Sequence, residues 1–285
     1  MLWFILALLS AFLVATHQML IKKYVKNVNE FVLSSGTTFV AAVILLTISF
    51  MRGVPEISPS FYSAIAVTAS LNVIATILIY KALKKADLSL AMPMLAWTPA
   101  FLIITSLIIL GERPTTTGFV GIALTVIGSY WATAHQRQGI LEPFRLLLKE
   151  KGVLSILVVA FIYSITANFD KKMVLASDVY FGTGMTWLII STTLFIFALY
   201  YNHPIAEFKK NMPILLMLGT ILAISGIAAN TALTMQIVPY VIAVKRLSTI
   251  FVVLYGVLLF KEKHAHQRLS AASIMVIGAL VILFL

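Results

Sequence analysis

Lys245 and Arg246 stand side by side in YVIAVKRLSTIFVVLYGVLLF, residues 240–260, a stretch otherwise apolar enough to lie in lipid. Cations in the core of a bilayer cost free energy, and where they occur they usually face the bundle interior and mark a functional path. Consecutive helical residues diverge by about 100°, so the two side chains cannot leave along one face. We expect at least one of them to meet an anion, carbonyl groups or water. The alternative is that they snorkel toward the outer headgroups.

The sequence offers few anions to match this pair. No Asp or Glu lies near the middle of any apolar run, and Asp170, at the end of the sixth run, is the nearest candidate partner. An unmatched cation inside a membrane protein needs a counter-charge. We therefore consider that a bound anionic cargo supplies the missing anion.

The composition identifies the class of protein. The 285 residues are 61% hydrophobic and 11% charged, with a mean hydropathy of +1.02, which is typical of an integral membrane protein. The net charge of +11 is dispersed in short clusters between apolar runs, which argues against nucleic-acid binding. The chain has no cysteine and no HExxH, GxSxG or P-loop motif, so we predict neither an enzyme nor a metal or cofactor site.

Ten mostly apolar runs are each long enough to cross a bilayer, which takes roughly 20 helical residues. They cover 2–21, 31–50, 61–82, 88–110, 116–134, 153–170, 180–201, 213–235, 239–260 and 267–285. The first run lacks the basic start and the cleavage site of a signal peptide, so we keep it as a span. The pattern predicts an all-α membrane protein with ten transmembrane helices.

The two halves of the chain match each other when the sequence is shifted by 149–150 residues. Lys22-Lys23 then falls on Lys171-Lys172, and Glu112 falls on Glu262. Each half holds five spans, an odd number, so the second half must enter the membrane from the opposite side. We predict two inverted repeats, 1–134 and 153–285, joined by a cytoplasmic linker with a short interfacial helix at 135–152. Inverted repeats are common in secondary transporters.

Several polar side chains within the spans are further candidates for a binding site. Intramembrane amides and hydroxyls need partners, which a neighbouring helix or a wet cavity supplies. A histidine within a span could relay protons, or it could be a satisfied packing residue. The candidate substrate-binding residues are Lys245, Arg246, Asn72, Thr76, Tyr80, Trp97, Asn230 and His17.

Prolines mark two of the spans. Pro93 and Pro99 lie in the fourth span and Pro239 lies at the start of the ninth. Because proline removes a helical hydrogen bond, we expect these helices to bend or loosen. Broken helices near the midplane often form transport sites.

Glu112 and Glu262 end the fourth and ninth spans. They could carry protons, but a carboxylate is far cheaper at the interface than in the core. We favour a role in capping the N-terminus of the helix that follows each of them.

Small residues recur along the fifth span at Gly121, Thr125 and Ser129, and Ala271 and Ala279 occupy matching positions in the tenth. Such spacing lets two helices pack closely. A pore-lining role is the alternative, and we favour packing.

The segments LSLAMPMLAWTPAFLIITSLIILGERPTTTGFVGIALTVIGSYW and VKRLSTIFVVLYGVLLFKEKHAHQRLSAASIMVIGALVI carry a family resemblance. In each, a helix ends in Gly-Glu-Arg or Phe-Lys-Glu-Lys and a glycine-bearing helix follows after a tight turn. With five plus five inverted helices, the chain resembles the ten-helix EamA-type branch of the drug/metabolite transporter superfamily. The resemblance implies a transporter with a central cavity. Plastid triose-phosphate translocators, another branch, hold substrate phosphate with a Lys-Arg pair of their ninth helix, about one turn nearer its end.

We therefore predict a secondary transporter that moves a small anionic or zwitterionic metabolite by alternating access. The alternatives are a flippase or carrier for a phosphorylated lipid and a membrane assembly partner that transports nothing. A proton-coupled exporter of lipophilic cations is disfavoured, because such relatives use a glutamate in their first helix and AFLVATHQML has no acid. The expected partners are a small-molecule substrate and the lipid bilayer, with the protein a monomer or dimer.

The distribution of basic residues predicts the orientation. Of the 21 lysines and arginines, fifteen lie in the loops after the odd-numbered spans, four lie in the other loops, and the remaining two are Lys245 and Arg246. Cytoplasmic loops are enriched in basic residues. We expect a multi-pass protein of the cell (inner) membrane with both termini extracytoplasmic, although many members of the resembling family have cytoplasmic termini.

A reporter fused after Leu285 tests this orientation. A reporter that is active only in the cytoplasm should be silent, because the tenth span ends on the extracytoplasmic side. A bright signal at native expression would overturn the orientation and leave the fold unaffected.

Overall fold

A computed structural model of the protein describes residues 1–24, 28–85, 92–133, 151–201, 204–260 and 265–284. Every regular element in these ranges is a helix, which confirms the all-α class. Most of the predicted linker, with its expected interfacial helix, lies outside the described residues. The helices are α1 (Leu2–Tyr24), α2 (Glu30–Arg52), α3 (Ser60–Lys85), a 3₁₀ helix (Met92–Trp97), α4 (Thr98–Leu110), α5 (Thr116–Thr133), α6 (Lys151–Leu175), α7 (Val179–Tyr201), α8 (Pro204–Met235), α9 (Val238–Lys245), α10 (Ser248–Phe260) and α11 (Ala265–Leu283).

These helices reproduce the ten predicted spans. Within the described ranges, α1, α2, α3, α6, α7 and α8 are each long and apolar enough to cross a membrane unaided. The helices α5 and α11 are shorter and equally apolar. The fourth span consists of the 3₁₀ helix followed by α4, and the ninth consists of α9 and α10 on either side of a turn at Arg246 and Leu247.

The packing of the helices follows the repeat. The second helices of the two halves, α2 and α7, pack against each other, and so do the last ones, α5 and α11. The third helix of each half packs against the first helix of the other: α3 against α6, and α8 against α1. This reciprocal pattern is what a pseudo-two-fold axis in the membrane plane produces.

The two broken spans break at equivalent positions. The α-helical part of the fourth span begins at Thr98 and that of the ninth resumes at Ser248, which is the 150-residue offset of the repeat. In the first half Pro99 occupies the first turn of α4, where its missing N–H group is tolerated. At the break in the second half no proline is present, and the turn is tightened by hydrogen bonds such as Leu247 N–H to the Val244 carbonyl, 2.9 Å.

Pro239 does not bend its helix as expected. It lies in the first turn of α9, which begins at Val238. The first N–H groups of a helix have no intrahelical partner, so a proline there breaks no hydrogen bond. The break of the ninth span falls about two turns later.

Two glycines allow a close contact between the last helices of the halves. A Cβ added at Gly121 of α5 would lie 2.7 Å from the Gly278 carbonyl oxygen of α11, and a Cβ at Gly278 would lie 2.7 Å from the Gly121 oxygen. Thr125, Ala271 and Ala279 are buried nearby. The packing interpretation of the small-residue spacing is confirmed.

The variant Gly121→Ala tests this contact. Its methyl group meets backbone that can move only if the two helices separate, so we expect destabilisation of about 1–3 kcal/mol. The melting temperature of the purified protein measures it, with Val120→Ile as the control because Val120 is exposed on the same helix. Equal melting temperatures for the two variants would contradict the assigned contact.

Candidate functional site

Arg246 links the two helix breaks. It lies in the turn between α9 and α10, and its Nη2 donates a hydrogen bond of 2.6 Å to Oγ1 of Thr98, the first residue of α4. Thr98 is buried and Arg246 is half-buried. Tyr163 of α6 lies near the guanidinium. The Nε of Arg246 is buried and has no hydrogen-bond partner in the described part of the chain.

Lys245 is near enough to Asp170 of α6 for the two charges to interact. The described residues provide no hydrogen bond to Lys245 and no carboxylate within the 4.0 Å of an ion pair. Asp170 instead accepts a hydrogen bond of 2.5 Å from Oγ1 of Thr68 on α3. The predicted partner of the cation pair thus lies beside it but is held by another residue.

Asn72 is connected to Asp170 through Thr68. Its Nδ2 donates to the Thr68 carbonyl oxygen at 2.9 Å and lies 3.3 Å from Thr68 Oγ1. Side chains from four helices and from both halves of the protein therefore lie together in one polar cluster. We call Lys245, Arg246, Asp170, Thr68 and Thr98 the central cluster.

The other candidates from the sequence are dispersed. Thr76 donates to the Asn72 carbonyl oxygen of its own helix at 2.8 Å, and Asn230 donates to Thr183 of α7 at 2.7 Å. His17 lies on α1, where its buried Nε2 has no partner among the described residues. None of these contacts involves the central cluster.

Two aromatic candidates belong to the neighbouring helices of the first half. Trp97 ends the 3₁₀ helix directly before Thr98 and packs against an apolar group that includes Met94 and Tyr130. Tyr80 lies in α3, and its side chain is outside the described residues. Trp97 is therefore a neighbour of the central cluster in sequence, and its packing contacts are with this apolar group.

A polar network missed by the sequence analysis joins α4 to α6. Asn168 is fully buried, its Oδ1 accepts from Ser106 at 2.6 Å, and its Nδ2 donates to the Ser164 carbonyl oxygen at 2.7 Å and to Thr105 Oγ1 at 3.2 Å. The signal was present, because a buried amide requires partners. The network fixes the position of Thr98, on α4, relative to Asp170, on α6.

Glu112 caps a different helix from the one expected. Its Oε2 accepts a 2.7 Å hydrogen bond from the N–H of Val238, the first residue of α9, and its Oε1 lies 2.7 Å from Nζ of Lys171. Lys171 also donates to the Gln236 carbonyl oxygen at 2.7 Å. The carboxylate was expected to cap the following helix, but the turn after Gly111 leaves it beside the α8–α9 junction. Glu262 lies outside the described residues.

Comparison with protein families settles the class of this chain. The model of the EamA-like transporter family matches residues 1–134 and again residues 150–284. The chain belongs to the EamA-like transporter family. Comparison with curated proteins finds no match.

Solved structures give the same fold. Among 29 matching chains is one described as "Crystal structure of protein", with a TM-score of 0.79 and 14% sequence identity. The match covers 98% of this chain and 96% of that chain. At this identity the likeness concerns the fold alone. In this EamA-like transporter the central cluster lies where the two repeats meet, at the breaks of equivalent helices.

The ion pair of Glu112 and Lys171 should stabilise the transporter where the ends of α4 and α6 meet the start of α9. Both side chains are about nine-tenths buried, with 11% and 13% exposed. We expect Glu112→Ala and Lys171→Ala each to lower the melting temperature, and the double variant to lower it by less than the two effects added. A coupling free energy of about 0.5–3 kcal/mol is typical of residues in contact.

The control is Glu56→Ala, since Glu56 is an exposed carboxylate in the connection between α2 and α3. It should leave the melting temperature unchanged. Additive effects of Glu112→Ala and Lys171→Ala would show that the two side chains do not act as a pair.

Proposed function

We propose that this EamA-like transporter is a secondary transporter of a small anionic or zwitterionic metabolite and binds it at the central cluster. The observation that carries the proposal is the imbalance of charge at the helix breaks. Two basic side chains lie there, one carboxylate, Asp170, is near enough to interact with Lys245, and that carboxylate is hydrogen-bonded to Thr68.

The interactions of the two side chains support a binding role over snorkelling. Arg246 donates to Thr98 at the start of α4, and Lys245 is near enough to Asp170 of α6 for their charges to interact, so both interact with protein groups of the bundle. Arg246 lies about 12 Å along the helix from the start of α9, at 1.5 Å per residue. That depth is well inside a hydrocarbon core of about 30 Å.

The chemistry of these groups suits an anion. A guanidinium presents five donors in a planar fork that matches carboxylate and phosphate oxygens. One of the donors of Arg246 is used by Thr98, and its Nε is buried without a partner in the described ranges. A bound oxyanion would satisfy that donor and supply the missing counter-charge.

The repeat supports movement by alternating access. On one face, Glu112 and Lys171 tie the ends of α4 and α6 to the start of α9. The sequence repeat aligns these residues with Glu262 and Lys22. We infer that the two halves rock about the central cluster, so that the cargo reaches it from one side of the membrane at a time.

The variants Arg246→Gln and Lys245→Gln test the binding role. If the cargo supplies the anion, both should abolish anion-dependent thermal stabilisation and uptake into proteoliposomes. Their melting temperatures should match that of Lys210→Gln, an exposed control at the start of α8. A cation held in a fixed buried ion pair would instead cost about 3–5 kcal/mol on removal.

The assay uses a panel of anionic and zwitterionic metabolites, with translocation of a labelled phospholipid measured in the same vesicles. Normal uptake by both variants, or a large fall in their melting temperatures, would overturn the proposed site. Translocation of the phospholipid without uptake of any soluble compound would overturn the class of cargo.

A further inference from the structure

We propose that Asp170 sets the charge of the cargo, so that the central cluster accepts a species with one net negative charge. This inference rests on the proposed function and narrows it. It concerns a carboxylate that the sequence analysis regarded only as a possible partner of the cation pair.

The geometry makes Asp170 a fixed part of the site. Its carboxylate accepts the 2.5 Å hydrogen bond from Thr68, and the side chain of Asn72 donates to Thr68 in turn. Thr68 is fully buried and Asp170 is half-buried. A carboxylate held in this way stays beside Lys245 when the cargo enters and leaves.

The count of charges does not depend on where the proton lies. Lys245 and Asp170 together are neutral whether the lysine is protonated and the aspartate ionised or the proton has moved from one to the other. Arg246 always carries its charge, because its guanidinium is not deprotonated in proteins. The three groups therefore sum to one positive charge in the empty site.

The nearby ionisable groups leave this sum unchanged. Tyr163, which interacts with Arg246, is an uncharged phenol at neutral pH. Lys171, next in sequence to Asp170, is neutralised by Glu112. Lys172 keeps its charge but lies over the ring of Phe169, 5.4 Å from its centroid, and does not interact with Asp170 or Lys245. None of the acidic residues in the described ranges other than Asp170 interacts with Lys245.

A monoanion makes this site neutral, whereas a dianion leaves one uncompensated negative charge. Uncompensated charge enclosed by protein and lipid is costly, since little water is present to solvate it. Without Asp170 the site would carry two positive charges and a dianion would be the neutralising cargo. Asp170 is thus a specificity-determining residue.

The experiment compares ligands that differ in charge and little else. The probes are butyrate and succinate, dimethyl phosphate and methyl phosphate, and nitrate and sulfate, each titrated at pH 8 against the full-length protein in nanodiscs. The readout is the ratio of dissociation constants within each pair. The wild type should prefer the monoanion, and Asp170→Asn should shift the ratio toward the dianion by about tenfold or more.

Three further variants separate charge from structure. Asp170→Glu keeps the charge and should keep the wild-type ratio. Thr68→Val removes the hydrogen bond without changing the charge, so it should alter the melting temperature but not the ratio. The double variant Asp170→Asn/Lys245→Gln restores one net positive charge and should restore the preference for monoanions. It also provides a test of the charge rule if Asp170→Asn alone is unstable.

The outcomes distinguish this inference from the proposed function. Suppose that anions bind the wild type and do not bind Arg246→Gln, but that Asp170→Asn leaves every ratio of dissociation constants unchanged. The anion site is then supported and the proposed role of Asp170 is wrong. A wild-type preference for dianions would also show that the role of Asp170 is wrong. If no probe binds the wild type, the anion site itself is overturned.

Discussion

A charged guanidinium enclosed in an apolar helix bundle must be matched by polar groups, and the centre of this protein is organised around that constraint. Arg246 donates a hydrogen bond to Thr98, and Lys245 lies near enough to Asp170 for their charges to interact. Each of these contacts joins elements that are far apart in sequence. The central cluster therefore links the two halves of the protein at the positions where their helices are interrupted.

The inverted repeat supplies the backbone for this arrangement but not its chemistry. Both halves interrupt their fourth helix at equivalent residues, Thr98 and Ser248. The positions that correspond to Lys245 and Arg246 in the first half are Leu95 and Ala96. One repeat thus contributes the cations and the other a hydroxyl group, so that a nearly symmetric scaffold holds an asymmetric site.

The rest of the polar interior keeps this scaffold in place. Asn168 satisfies its amide with Thr105 and Ser106, which fixes α4 against α6. Glu112 meets both the N-terminus of α9 and Lys171, so a single carboxylate stabilises a helix end and an ammonium group. Among the described residues, Lys245 and Arg246 have no carboxylate within the distance of an ion pair.

The sequence by itself determined the number of spans, their inverted order and the presence of a cation pair within the ninth. These features are local or internal to the sequence, because a helix in lipid satisfies its own backbone and hydropathy reports the burial of each segment. It also identified Asp170 as the nearest acid. Pro99 marked the break of the fourth span for a local reason as well, since proline restricts the backbone where it stands.

Only the tertiary structure decided which groups meet. The break at Arg246 has no proline or glycine to signal it, and the cap formed by Glu112 lies at Val238, 126 residues away, rather than at the following helix. Asn230 and Thr76, which looked similar to Asn72 in the sequence, bond to Thr183 and to their own helix instead. The reason is physical: the partner of a polar side chain depends on how helices cross, and helix crossing is set by close contacts such as that of Gly121 with Gly278.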